Sequence, residues 1–182
     1  MSSYSRNSRK PIRALQIAVA VAALAGSAAY AEEPGHFELT AFSNGPAGAA
    51  LTSGDYNTAL GQLQHSFSRL SDSETTNTNR CVAYSVTRRT DEARAACNSA
   101  VRDAQMELAS LPVSMQWARA DYRDYLALAY SNRAVLNWML NDTRAAQSDL
   151  KKAATISPKA TFVARNETAL ESHAKFARVS MR

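Results

Sequence analysis

From Pro46 almost to its end the chain keeps a helical apolar periodicity. The breaks are short and polar: Thr52 to Asp55, Ser71 to Asn79, Arg88 to Thr90, Ser110 to Ser114, Asn141-Asp142 and Ser157-Pro158. Helices of about a dozen residues joined by such turns describe an array of antiparallel hairpins, and no segment shows strand alternation. Alanine is frequent through the second half, which favours helix over strand. The expected fold class is therefore all-α. With 182 residues, 46% hydrophobic and 20% charged, the chain can bury one core of useful size.

The turns and small residues recur at a fixed distance. In the segment Ala129 to Pro158, Tyr130, Ala134, Ala146, Leu150, Ala153 and Pro158 keep the spacing of the tetratricopeptide repeat, which this segment resembles. They fill its aromatic slot, its small slot, its later Ala and Phe slots, a further small slot and its terminal Pro. Arg133 in the Leu slot and Asn137 in the Tyr slot depart from the pattern. A second unit places Cys81 against Ala134, Tyr84 in the Tyr slot, Ala93 against Ala146 and Ala100 against Ala153, with Gln105 where the Pro would stand. A third, earlier unit retains Gly54-Asp55-Tyr56, Ala59 and Leu63. Ala59 and Ala93 are 34 residues apart, the period of the family, and Ala93 and Ala146 are 53 apart, so 19 residues are inserted between the second and third units.

The resemblance implies a short right-handed superhelix of stacked hairpins, with repeats at about 46–73, 74–107 and 127–160. The insertion, roughly 103–122, is helix-like apart from Leu111-Pro112, and Met115 to Leu140 reads as one long helix with Ser114 as its N-cap. Gly45-Pro46 shortens the first helix, with Pro46 in its first turn. Val163, Leu170, Ala174 and Ala177 share a face on a capping helix at about 160–180.

The N-terminus reads differently. Arg6, Arg9, Lys10 and Arg13 precede an apolar run from Leu15 to Ala25, and Ala29 and Ala31 satisfy the small-x-small rule for cleavage before Glu32. Residues 1–31 are thus expected to be a secretory signal peptide, and residues 32–45 a flexible arm. The run is shorter than the roughly 20 apolar residues of a membrane span, and the mature chain is expected to have none. Without those four cations the 21 basic residues fall to 17 against 16 acidic, so the formal charge of +5 drops to +1. The basic balance of the whole chain therefore says nothing about partners, and no nucleic-acid partner is expected. A compact signal of this kind points to the bacterial periplasm.

Export makes a disulfide between Cys81 and Cys97 the expected state. In the slots of the resemblance the two face each other across a hairpin, one on each helix. Two buried free thiols are the alternative, and the absence of Cys-x-x-Cys spacing argues against a redox pair.

No catalytic pattern accompanies the repeat. His36, His65 and His173 lack metal-ligand spacing, and neither a Gly-x-Ser-x-Gly elbow nor a phosphate loop occurs. Asp91, Glu92, Asp121 and Asp124 fit helix-surface or first-turn charges. No catalytic residue, cofactor or metal is expected.

What the resemblance implies is a concave groove that takes a protein or peptide, here lined by Asn79, Val82, Asn132, Val135, Trp138 and Met139. Asn amides can bridge a peptide main chain through paired donor and acceptor, and Trp138 with Met139 offers an apolar anchor. Alternatively Trp138 packs under the capping helix and the Asn-Arg pairs satisfy neighbouring helix ends. The expected function is an exported interaction module. The rivals are an architectural, self-associating domain and, third, a small enzyme.

Overall fold

The computed structural model describes residues 14–18, 35–65 and 73–180. These residues fold as seven helices with one two-stranded antiparallel ribbon, an all-α architecture. The expected cleavage residues Ala29, Ala31 and Glu32 lie outside the described residues.

In chain order the elements are β1 (Ala14–Ala18), β2 (Glu38–Phe42), α1 (Gly48–Thr52), α2 (Tyr56–His65), α3 (Ser73–Val86), α4 (Thr90–Ser110), α5 (Gln116–Met139), α6 (Thr143–Ile156) and α7 (Thr161–Ser180). Consecutive helices pack as hairpins, α3 on α4 and α5 on α6, and the pairs meet through α4 on α5 and α6 on α7.

The turns repeat in detail. Gly54, Arg88 and Asn141 each take positive φ, at 79°, 59° and 62°. The residue after each sends its N–H back to a carbonyl five positions earlier: Asp55 to Ala50, Arg89 to Tyr84 and Asp142 to Asn137, all at 2.9 Å. This left-handed closure satisfies carbonyls that a helix end would otherwise leave unpaired. The following helices then start alike. Ala59, Ala93 and Ala146 donate to the main chain of Asp55, Arg89 and Asp142, and all three alanines are fully buried. A side chain larger than methyl at these slots would hold the paired helices apart. Asp142 also caps α6 by accepting the Ala145 N–H at 2.9 Å.

The inserted residues lengthen both α4 and α5, so the hairpin tip reaches Leu111 to Met115. Ser114 does not cap α5: the cap position is Met115, without a side-chain bond. Arg119 stabilises the tip instead, donating to the carbonyls of Leu108 and Leu111 at 3.0 and 2.8 Å, two of the acceptors left over at the end of α4. Val113 and Trp117 stand 79% and 61% exposed there.

Cys81 on α3 and Cys97 on α4 form a disulfide with Cα atoms 4.6 Å apart, buried beside Ala93, Ala96 and Leu136.

The expectation of a loose arm over residues 32–45 needs correction for residues 35–45. Glu38–Phe42 is a strand whose five residues are all buried. Phe37, Leu39 and Ala41 belong to the main core with Leu51, Leu63, Val82, Val135, Leu150 and Leu170. Burying Phe37 and Leu39 contributes about 1.5–3 kcal/mol each, which offsets the entropy of ordering the segment. Gly48 allows the tight return into α1, because a Cβ there would overlap the Phe42 carbonyl oxygen. The other edge of β2 pairs with β1 in the register Leu15↔Ala41, Gln16↔Thr40, Ile17↔Leu39.

Candidate functional site

An extended strand inside a helical domain must find partners for its main chain, and β1 lies along only one edge of β2. Here three asparagine side chains do so, one each from α3, α5 and α7. Asn79 accepts the Phe42 N–H at 2.7 Å and donates to the Phe42 carbonyl at 2.9 Å. Asn132 accepts from Thr40 at 2.9 Å and returns a bond to its carbonyl at 2.8 Å. Asn166 does the same for Glu38, at 2.7 and 2.9 Å. As the strand advances through residues 38, 40 and 42 it steps back from α7 to α5 to α3. A carboxamide carries one acceptor and a donor pair on one planar group, which is what the N–H and C=O of a single strand residue require. An ionised Asp at these positions could satisfy only the acceptor half of each rung, and Ala neither half.

All three asparagines are 0–1% exposed, and each second donor hydrogen also has a role in two rungs. Asn79 donates to the Pro46 carbonyl and Asn166 to the Ser131 hydroxyl, both at 2.9 Å. Asn79 and Asn132 lie 53 residues apart, and Asn132 and Asn166 lie 34 apart, the same intervals that separate the repeat alanines. Position 45, 34 residues before Asn79, is Gly45, and there the strand's own continuation runs past the Asn79 amide.

The strand's side chains lodge on two sides. Phe37 lies against Trp138, ring centroids 4.3 Å apart, and against His173 at 5.5 Å. Trp138 also meets His173 at 4.7 Å, so it contacts both the arm and α7. On the opposite side Phe42 packs edge-on to Tyr125 at 5.0 Å, and the buried Glu38 carboxylate pairs with Arg165 at 2.9 Å. Burial depresses the pKa of His173 below its ordinary 6.5, opposed by the bond its ring donates to the Gly35 main chain and assisted by the nearby charge of His36.

Asn79, Val82, Asn132, Val135, Trp138 and Met139 are thus brought to one surface, with the chain's own residues 37–42 as its occupant. The expectation that this surface stands open to a partner is corrected accordingly. Asn166 was not anticipated, although its place 34 residues beyond Asn132 marks it.

The opposite side of α5 accounts for the two departures from the repeat pattern. Arg133 makes two parallel bonds to Asp149 at 2.8 and 2.9 Å, and Asn137 adds a third at 3.2 Å. Lys152 approaches the same carboxylate at 3.5 Å. Bonding to Asp149 raises the Arg133 pKa beyond its already high value. The two residues out of pattern therefore serve one buried carboxylate across the α5–α6 hairpin.

Among the described residues no group of three or more His, Cys, Asp or Glu could hold a metal ion, and no helix is long and apolar enough to cross a membrane. Comparison with known proteins returns no matching family model, curated protein or solved structure.

Proposed function

We propose that this chain is exported to the bacterial periplasm by its N-terminal signal and works there as a tetratricopeptide-type interaction module, holding a protein partner at the mouth of its concave face, beside the strand β2 that fills it. The observation that carries this reading is the asparagine ladder. Three repeat-spaced amides grip an extended segment by its main chain, a mode of recognition suited to peptide rather than to a small molecule. The recurring turns and the 34-residue interval support the family assignment, and the buried disulfide suits an oxidising compartment.

The test is capture from an envelope extract with the exported chain and its Asn132→Ala variant, followed by rebinding of the purified partner. A partner bound by the native chain and weakened at least about tenfold, roughly 1.4 kcal/mol, by an Asn132→Ala chain of unchanged helicity supports the reading. A partner held equally by both removes the concave face from the function.

The architectural alternative draws on the α4–α5 tip, where Val113 and Trp117 are exposed. Self-association abolished by Trp117→Ser, measured by sedimentation, would favour it.

A further inference from the structure

Successive residues of a strand direct their N–H and C=O groups to opposite edges. The ladder takes those of Glu38, Thr40 and Phe42. The groups of Leu39 and Ala41 therefore face the other way, towards the mouth of the concave face, where β1 lies antiparallel with Ile17 opposite Leu39 and Leu15 opposite Ala41. These two are the pairs that exchange main-chain bonds. Yet β1 falls inside residues 1–31. If those residues leave at export, the chain that functions carries β2 with one edge clamped and the other uncovered.

We infer that this uncovered edge of β2 is the partner site, and that it takes an extended, uncharged segment of another protein as an antiparallel strand of about five residues. The inference rests on the function proposed above and names how the partner is held. Three observations carry it. β1 shows that the edge accepts a strand in a defined register. The sequence of β1, Ala-Leu-Gln-Ile-Ala, bears no charge, so the chemistry that fits is apolar and neutral. All five residues of β2 are buried, and the strand is anchored at its two ends by Phe37 against Trp138 and His173 and by Phe42 against Tyr125, so it cannot rise to meet a large flat surface. A second copy's β2, embedded in the same way, cannot reach it, whereas a protruding segment can. An uncovered strand edge is in any case a reactive feature that a stable protein must fill or block.

The full chain is expressed with export and purified, and its N-terminus is read by intact mass. Three fluorescent peptides of residues 12–20 are then titrated: the native sequence, one with an N-methyl group on Ile17, and one with the same group on Gln16. The native peptide should bind a chain that begins at Glu32. N-methylation of Ile17 removes a bonding donor and should weaken binding at least about tenfold. N-methylation of Gln16, whose N–H points away from β2, should change it by less than about threefold. Equal weakening by both methyl groups, or no binding to a folded chain starting at Glu32, overturns the inference. A dimer that excludes the peptide also overturns it, in favour of a second copy. A purified chain that retains residues 14–18 overturns the leader reading and this inference together. If the peptides fail while Asn132→Ala still abolishes partner capture, the edge is refuted and the function proposed above stands.

Discussion

The α3–α4 and α5–α6 hairpins share one frame and hold it by different chemistry. Each turns through a left-handed residue, Arg88 or Asn141, buries an alanine at the start of its second helix, and offers one asparagine, Asn79 or Asn132, to the strand. Between the helices they diverge. The first is joined covalently by Cys81 and Cys97; the same slots in the second hold Ala134 and Leu150. The second is joined by Arg133 and Asp149; the corresponding slots in the first hold Arg80 and Ala96. With Ala96 in the slot that Asp149 fills, Arg80 donates to the Leu63 carbonyl of the preceding helix at 3.0 Å. The frame is set by turns and small residues, and the cross-link is interchangeable as long as the asparagine stays in place.

That equivalence can be broken at each staple. The largest effect should follow removal of the disulfide. The bond closes a separation of 16 residues, so Cys81→Ala with Cys97→Ala should lower stability by about 3 kcal/mol, read as a fall in the urea midpoint. A loss below about 1 kcal/mol would mean that packing alone holds α3 against α4.

Next comes Asp149→Ala, expected to cost about 2 kcal/mol by leaving Arg133 and Asn137 without their acceptor. Arg133→Leu with Asp149→Ala puts the repeat's usual apolar residue in the Leu slot, and it should recover most of that loss. If the double variant is no better than Asp149→Ala alone, the pair is not a substitutable staple, and the comparison between hairpins fails.

The smallest effect belongs to α7, which adds a third rung. Because burial depresses the His173 pKa, the stability it contributes is present above the unfolded value near 6.5 and is lost as pH falls through the folded value. The His173 ring should titrate below 6.5 by NMR. A midpoint above 6.5 would mean that the contacts with Phe37 and Trp138 do not bury it.

How much of this was legible in the sequence depends on how far apart the partners lie. The helices and the turns at Gly54, Arg88 and Asn141 follow from local periodicity and one repeat interval, and the pairing of Cys81 with Cys97 from the expected export and the facing slots that the resemblance implies. Asn79 and Asn132 could be picked out because a carboxamide matches a peptide unit. Asn166 carries the same signal, but the apolar face of Val163 and Leu170 gives α7 the look of a plain cap. β2 was not legible. Its partners lie 37, 92 and 128 residues away, and the alternation of Phe37, Leu39 and Ala41 with Glu38 and Thr40 runs for only five residues beside Pro34 and Gly35. The choice of Arg133 and Asn137 looks like two separate faults in the repeat until Asp149 is seen between them.

The central claim is that three repeat-spaced asparagines hold an extended segment by its main chain. Amide hydrogen exchange on the exported chain, resolved by residue, tests it most directly. With β1 removed, the amides of Glu38, Thr40 and Phe42 should be protected by at least about a hundredfold relative to those of Leu39 and Ala41, and Asn132→Ala should release Thr40 first. Uniformly fast exchange across residues 38–42, or protection that ignores this alternation, would contradict the ladder.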